Sequence, residues 1–366
     1  MHLLSPCESR CDAAVELGGG TRLHFLSSPA PRAAAETASA LREALRRREA
    51  EPLLAVLFGG ERYLEAASAE LRETVALRMP LRGDGCPAEE PKGTWQCVAV
   101  SGTKPEPLFD ETGRIAGWRG ETPAARWCLL GDLRPPIGGE PDAPAQARAV
   151  FETAERLLGT AGLAFTDTVR TWFYLRNLLT WYDAFNEVRT RFFEERGVFD
   201  RLVPASTGIG AAPPDGAALS AALFALRPLS GDLEVSAALD SPLQCPALDY
   251  RSSFSRAVEI RGGGRRFLSV SGTASIDAEG RSAHIGDCAA QIDLTLRVVE
   301  ALLHSRDMSW ENAVRAIAYF KHAEEMSLFA ERLRRAGIPP FPVTLAHVAV
   351  CRDDLLFELE LDAAEG

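Results

Sequence analysis

The chain has 366 residues, and its length alone gives a prior of about two domains. A composition of 46% hydrophobic and 25% charged residues is that of a globular protein and excludes a disordered or collagen-like chain. The net charge of −11 argues against a general binder of nucleic acid or anionic membrane, and no run approaches the ~18 apolar residues of a membrane-spanning helix.

The N-terminus, MHLLSPCESRCDAAVELGGG, has neither the basic flank nor the long apolar stretch of a secretory leader. Reduced thiols and a cytoplasmic location are therefore the expectation. Helical patterns are expected near 33–49 and 61–78, with a strand at 53–58 between them and a loop-rich stretch over 79–125. The next elements are a strand at 125–133, a helix at 143–161, a strand at 168–175, a helix at 180–196, a strand near 206–209 and a last strand at 217–227. Segment 228–248 bridges to a second half. There 266–276 alternates like a strand, and Asp287 is placed to cap a helix whose apolar residues Ile292, Leu296, Val299 and Leu303 recur at three and four. A strand at 313–320, a helix at 323–336 closed by Gly337, and strands at 343–350 and 355–361 complete the chain.

The two halves repeat. Residues 146–175 and 291–320 align without a gap, with identities at Gln146/Gln291, Glu155/Glu300, Leu157/Leu302, Leu158/Leu303, Val169/Val314, Arg170/Arg315 and Tyr174/Tyr319. A repeat of this length means two copies of one domain. The order β-α-β-α-β-β predicts an α+β fold with helices packed on one sheet face, divided into an N-terminal domain over 1–235 (copy one at about 125–230) and a C-terminal domain over 236–366.

Eight scattered cysteines without a CxxC pair and six histidines without HExxH or His-x-His predict no metal site. No phosphate-binding glycine motif occurs. Gly262-Gly263-Gly264 lies between two strand patterns and reads as a hairpin turn.

SVSGTASID, the helix carrying VVEALL, SWENAVRAIAYF and CRDDLLFELELDA together resemble the Rid/YjgF family over about 250–366. TVRTWFYLRNLLTWYDAFNEVRTRFF and PASTGIG, paired with SFSRA and SGTAS, resemble the chorismatases (FkbO-like) over about 125–366. The Rid resemblance implies tandem Rid-like domains, and trimers with clefts between subunits. A homotrimer, or a chain that partly supplies its own partner, both remain open. Rid deaminases hold the substrate carboxylate with an arginine on the penultimate strand. Thr344 is the best match to that position, and it disfavours enamine or imine deamination. The chorismatase resemblance implies cofactor-free hydrolysis of an enolpyruvyl ether, with release of pyruvate and a cyclohexadiene or hydroxybenzoate. It assigns the proton donor to Glu358. Strand alternation puts Glu358 and Glu360 on one face and Phe357, Leu359 and Leu361 on the other. Cys351 matches the position that marks 3-hydroxybenzoate formers, whereas Ala274 in SGTAS departs from the glycine that accompanies it there. Arg176 and Arg256 are the first choices to hold the substrate carboxylates, with Tyr250 and Arg251 in the loop before SFSRA. That loop is shorter here than is usual in the family. Gly272, Thr273, Ala274 and Ser275 complete the expected binding set. Arg170 and Arg315, present in both copies, are expected to serve the fold. Copy one has no acidic residue at the position of Glu358 and is expected to be a structural partner. The rival readings are a Rid-type deaminase with an altered substrate and a non-catalytic ligand-binding module.

Overall fold

The computed structural model describes residues 12–28, 30–135, 142–237, 241, 243–244 and 253–365. Three sheets follow one another along the chain. The first unit runs β1 (Asp12–Gly18), β2 (Thr21–Ser27), β3 (Arg32–Ala33), α1 (Ala34–Arg48), β4 (Glu51–Gly59), α2 (Glu61–Glu70), β5 (Arg78–Gly83) and β6 (Lys92–Ser101). The second runs β7 (Glu106–Phe109), β8 (Ile115–Glu121), β9 (Ala125–Leu133), α3 (Ala143–Thr160), β10 (Thr168–Leu175), α4 (Tyr182–Glu195), β11 (Ala205–Ile209), β12 (Ala211–Ala212) and β13 (Leu219–Pro228). The third runs β14 (Leu233–Ala237), β15 (Ala257–Gly262), β16 (Arg265–Ala274), α5 (Cys288–His304), β17 (Ala313–Phe320), α6 (Met326–Arg335), β18 (Thr344–His347) and β19 (Phe357–Glu365).

The sheet orders are β1-β2-β6-β4-β5-β12, β7-β8-β9-β13-β10-β11 and β14-β15-β16-β19-β17-β18. Setting aside the two-residue β12, which crosses from the second unit to pair with β5, and the edge strands β7 and β14, which have no counterpart in the first sheet, the three orders superpose. The chain therefore carries three copies of one α+β unit. The stretch 79–125, expected to be loop-rich, holds β5, β6, β7 and β8 instead. Its strands are interrupted by turn residues such as Gly85, Gly102 and Gly113, all with positive φ, which mask the alternation in the sequence. The boundary between the last two units also falls earlier than residue 235, because β14 pairs with β15. Elsewhere the expected elements are present, except that the helix expected over 61–78 ends at Glu70 and Arg78 already begins β5. Asp287 accepts from Ala290 N–H at 3.0 Å and starts α5, and Gly263 and Gly264, at φ +59° and +77°, make the β15–β16 hairpin turn.

Each sheet buries one face under its own helices and the other against the remaining two sheets. β11 docks on β16, β18 on β6 and β5 on β9, so the contacts close a ring within one chain. Phe58, Tyr174 and Tyr319 occupy the same register in their sheets, opposite Thr94, Ser220 and Glu358. Their rings meet inside the ring of sheets, with centroids 5.9 Å (Phe58–Tyr174) and 6.3 Å (Phe58–Tyr319) apart. All three are nearly inaccessible to solvent, and burial of each such side chain is worth about 2–3 kcal/mol.

Candidate active site

Ring closure decides what β19 can do. Phe357, Leu359 and Leu361 pack beneath the helices of the third unit, and alternation turns Glu358, Glu360 and Asp362 toward the neighbouring sheets. In an isolated sheet those carboxylates would be wet. Here Glu358 is 4% exposed, Glu360 0% and Asp362 3%.

Two of the three are neutralised. Glu360 accepts from Arg315 Nη2 at 2.5 Å, Arg170 Nη2 at 2.9 Å and Trp172 Nε1 at 3.1 Å. Burial pushes its pKa up, but the two guanidiniums outweigh burial and hold it below the ordinary carboxylate range. Asp362 accepts from Arg315 Nη1 at 3.0 Å and from Ser269 Oγ at 2.6 Å. Arg170 and Arg315 thus bind carboxylates across and within the sheets.

Glu358 is different. Burial, reinforced by the negative charge of Glu360, raises its pKa to about 8 against the opposing pull of Arg170 and Arg256. It is a neutral acid at pH 7. Its carboxyl lies over Gly272, where an added Cβ would stand 1.9 Å from Oε1, so only glycine leaves room for it. Gly272 N–H donates to Thr207 Oγ1 at 3.1 Å, and Arg170 Nη2 donates to the same hydroxyl at 2.6 Å. Cys351 Sγ lies 4.0 Å from Glu358 Oε2. Burial first, and then the nearby Glu358, push this thiol up to about 12, so it stays protonated.

Of the expected binding residues, the structure brings Arg256, Gly272, Ala274 and Cys351 around Glu358. Ala274 pairs with Glu358 across the β16–β19 ladder and shares a small apolar cluster with Cys351. Arg256 is buried, with its guanidinium 5.6 Å from the Phe254 ring. Thr273 and Ser275 do not face the cleft. Thr273 pairs with Leu359, on the helix side, and donates to Ser271 O at 2.9 Å, while Ser275 donates to Ala283 O at 2.9 Å. Arg176 is directed elsewhere as well: it donates to Pro213 O at 2.5 Å and Ala217 O at 3.1 Å and ties down the loop before β13. Tyr250 and Arg251 lie outside the described residues. Thr344 also belongs to another cleft, where its hydroxyl donates to Trp95 O at 3.3 Å. The penultimate strand that reaches Glu358 is β11 of the preceding unit, and Thr207 stands there in the register of Thr344. That position likewise carries no guanidinium.

Sequence reasoning missed Ser206, Thr207, Arg189 and the part played by Arg170. Ser206 N–H donates to Ser271 Oγ at 2.8 Å, which stitches β11 to β16. Arg189 Nη1 lies 3.5 Å from Ser206 Oγ, and its guanidinium stands 6.0 Å from the Phe254 ring that also stacks on Arg256. A signal for Arg189 was present: it falls on the apolar stripe of α4, four residues after Phe185 and three before Phe192. Together Arg170, Arg189 and Arg256 make one end of the cleft cationic beside a single protonated carboxyl, an arrangement suited to holding an anionic substrate while giving it a proton.

Three α+β units closed into a ring, with one buried acid among arginines at a junction between units, define the class. By sequence and by fold the chain is chorismatase-like. It is 29% identical over 261 residues to a chorismatase of Streptomyces rapamycinicus, a match covering 63% of this chain and 73% of that protein. It is 29% identical over 256 residues to a 3-hydroxybenzoate synthase of Streptomyces hygroscopicus, covering 62% and 70%. A chorismatase crystal structure at 1.08 Å superposes with a TM-score of 0.61 at 19% identity, over 86% of this chain and 93% of that one. No family model matches the sequence. No helix among the described residues is long and apolar enough to cross a membrane.

Proposed function

We propose that the protein cleaves the enolpyruvyl ether of chorismate, or of a closely similar dicarboxylate, to pyruvate and a cyclohexadiene or hydroxybenzoate. The observation that carries this reading is Glu358, a carboxyl held protonated at neutral pH in a buried cleft with Arg170 and Arg256 facing it. Glu358 gives its proton to the vinyl methylene, which leaves an oxocarbenium at the ether carbon. Water adds to that carbon and loses a proton, which restores the acid, and the hemiketal collapses to pyruvate and the cyclohexadiene alcohol; where the product is a hydroxybenzoate, that alcohol then loses water and aromatises. Arg256 and Arg189 hold substrate carboxylates, which offsets their desolvation. The thiol of Cys351, beside Ala274, borders the acid, and it steers which ring product leaves.

The deaminase reading lacks its carboxylate clamp at Thr207, and the purely ligand-binding reading does not explain an acid held neutral. That β11 of the second unit and β16 and β19 of the third border the cleft supports a site formed within one chain. The test is pyruvate release from chorismate by the purified protein, with the ring product resolved by chromatography. Release that does not exceed a Glu358→Gln control removes the catalytic claim.

A further inference from the structure

A cavity whose lining does not include Glu358 lies inside the ring of sheets. It has a volume of about 630 Å³, within the roughly 300–1,000 Å³ range of small-molecule sites. All three units contribute to its wall: Phe25 from the first, Trp127, Trp172 and Phe224 from the second, Phe267 from the third. Phe25 and Phe267 stack across units at 6.1 Å. Arg170 also lines it. That side chain is 2% exposed, and its Nε and Nη1 have no hydrogen-bond partner among the described residues. Buried charged donors without an acceptor are costly, so two such groups on one guanidinium call for an acceptor that the protein does not supply. Asp362, the other buried charge on the wall, is already satisfied by Arg315 and Ser269. Arg22, Arg265, Arg266, Asp232 and Glu365 also line it.

We propose that this axial cavity is a second ligand site, distinct from the Glu358 cleft, for an aromatic monocarboxylate. Its ring system packs among Trp127, Phe224 and Phe267, and its carboxylate accepts from the spare N–H groups of Arg170. The inference does not depend on the reaction proposed above.

The test uses 4-benzoylbenzoate, which is both an aromatic carboxylate and a photoprobe, with the full chain. Calorimetry is expected to give one site and an affinity about tenfold or more above that of the uncharged 4-benzoylbenzyl alcohol. Irradiation is expected to place the adduct on peptides of β2, β9, β13 or β16 that line the cavity. Val98→Trp, which fills the cavity from β6, is expected to weaken binding about tenfold or more. Equal affinity of acid and alcohol would overturn the role of Arg170. Adducts confined to 348–358, or displacement by chorismate, would overturn the second site. Should the Val98 variant fail to fold, the adduct map and the acid–alcohol comparison on the unaltered protein decide between these outcomes.

Discussion

Glu358→Gln separates the electrostatic claim from the catalytic one. In the unfolded chain the carboxyl titrates near its ordinary value of 4.5, and in the folded protein near 8. A pKa raised on folding means that the folded state keeps its proton where the unfolded state has lost it. Stability is therefore intact below pH 4.5 and falls as pH rises toward 8. At ~1.4 kcal/mol per unit, linkage gives a loss of about 3–4 kcal/mol between pH 5 and pH 8 from this residue alone. Burial above 95% leaves little solvent screening to reduce that figure. Glutamine has the same shape and no titration. The measurement is urea unfolding of both proteins at pH 5, 6, 7 and 8. The wild type is expected to lose about 1 kcal/mol per pH unit relative to Glu358→Gln, while all other titrations cancel in the difference. Parallel curves would show that the carboxyl ionises normally in the fold, and the proposed proton donor would then be charged at neutral pH.

Pyruvate release is expected to decline above about pH 8 as Glu358 ionises. Removing the neighbouring charge by Glu360→Gln is expected to move that limb to lower pH, because Glu360 helps hold the proton on Glu358. The same change leaves Arg170 and Arg315 short of an anion and is expected to cost about 3–5 kcal/mol in urea unfolding. Gly272→Ala puts a methyl where the carboxyl now lies and is expected to lower kcat about a hundredfold, at a stability cost of about 1–3 kcal/mol. Iodoacetamide at pH 7 is expected to spare Cys351 in the folded protein and to alkylate it in urea, as peptide mapping would show. Light scattering on a sizing column is expected to give the mass of one chain at concentrations where pyruvate release is linear in protein.

Much of the fold was legible because the repeat 146–175/291–320 sits in the first helix and the following strand of the second and third units, where buried apolar residues keep their spacing. The first unit shares the topology but not the letters. At the positions of Tyr174 and Tyr319 it has Phe58, and opposite it stands Thr94 where the others have Ser220 and Glu358. Packing requires an aromatic ring at that register, not a particular residue. The acid of the site was readable from the alternation of β19 and the family resemblance. Its partners on β11 and α4 were not, because which unit docks on which is a property of ring closure and leaves no local pattern. The same gap hid which cleft Thr344 borders: it holds the expected place in its own unit and bonds Trp95 O across another junction.

Ring closure creates three equivalent junctions, and the chain arms one of them. At the first, Thr94 Oγ1 donates to Leu345 O at 2.8 Å and Gln96 Nε2 to Ala316 O at 2.6 Å, so the position of the acid is used to bond the units directly. At the second, Ser220 Oγ donates to Asp132 Oδ1 at 3.2 Å, and Arg114 and Arg134 neutralise that aspartate at 3.0 and 2.8 Å. The first of these sets bonds one unit to another, and the second neutralises a buried aspartate within its own unit. Only at the third does the equivalent residue carry a carboxyl that no arginine binds directly, placed over a glycine with cations at a distance. A homomeric ring would have to bear this unfavourable burial three times. Fusing the units confines that burial to one junction of the three.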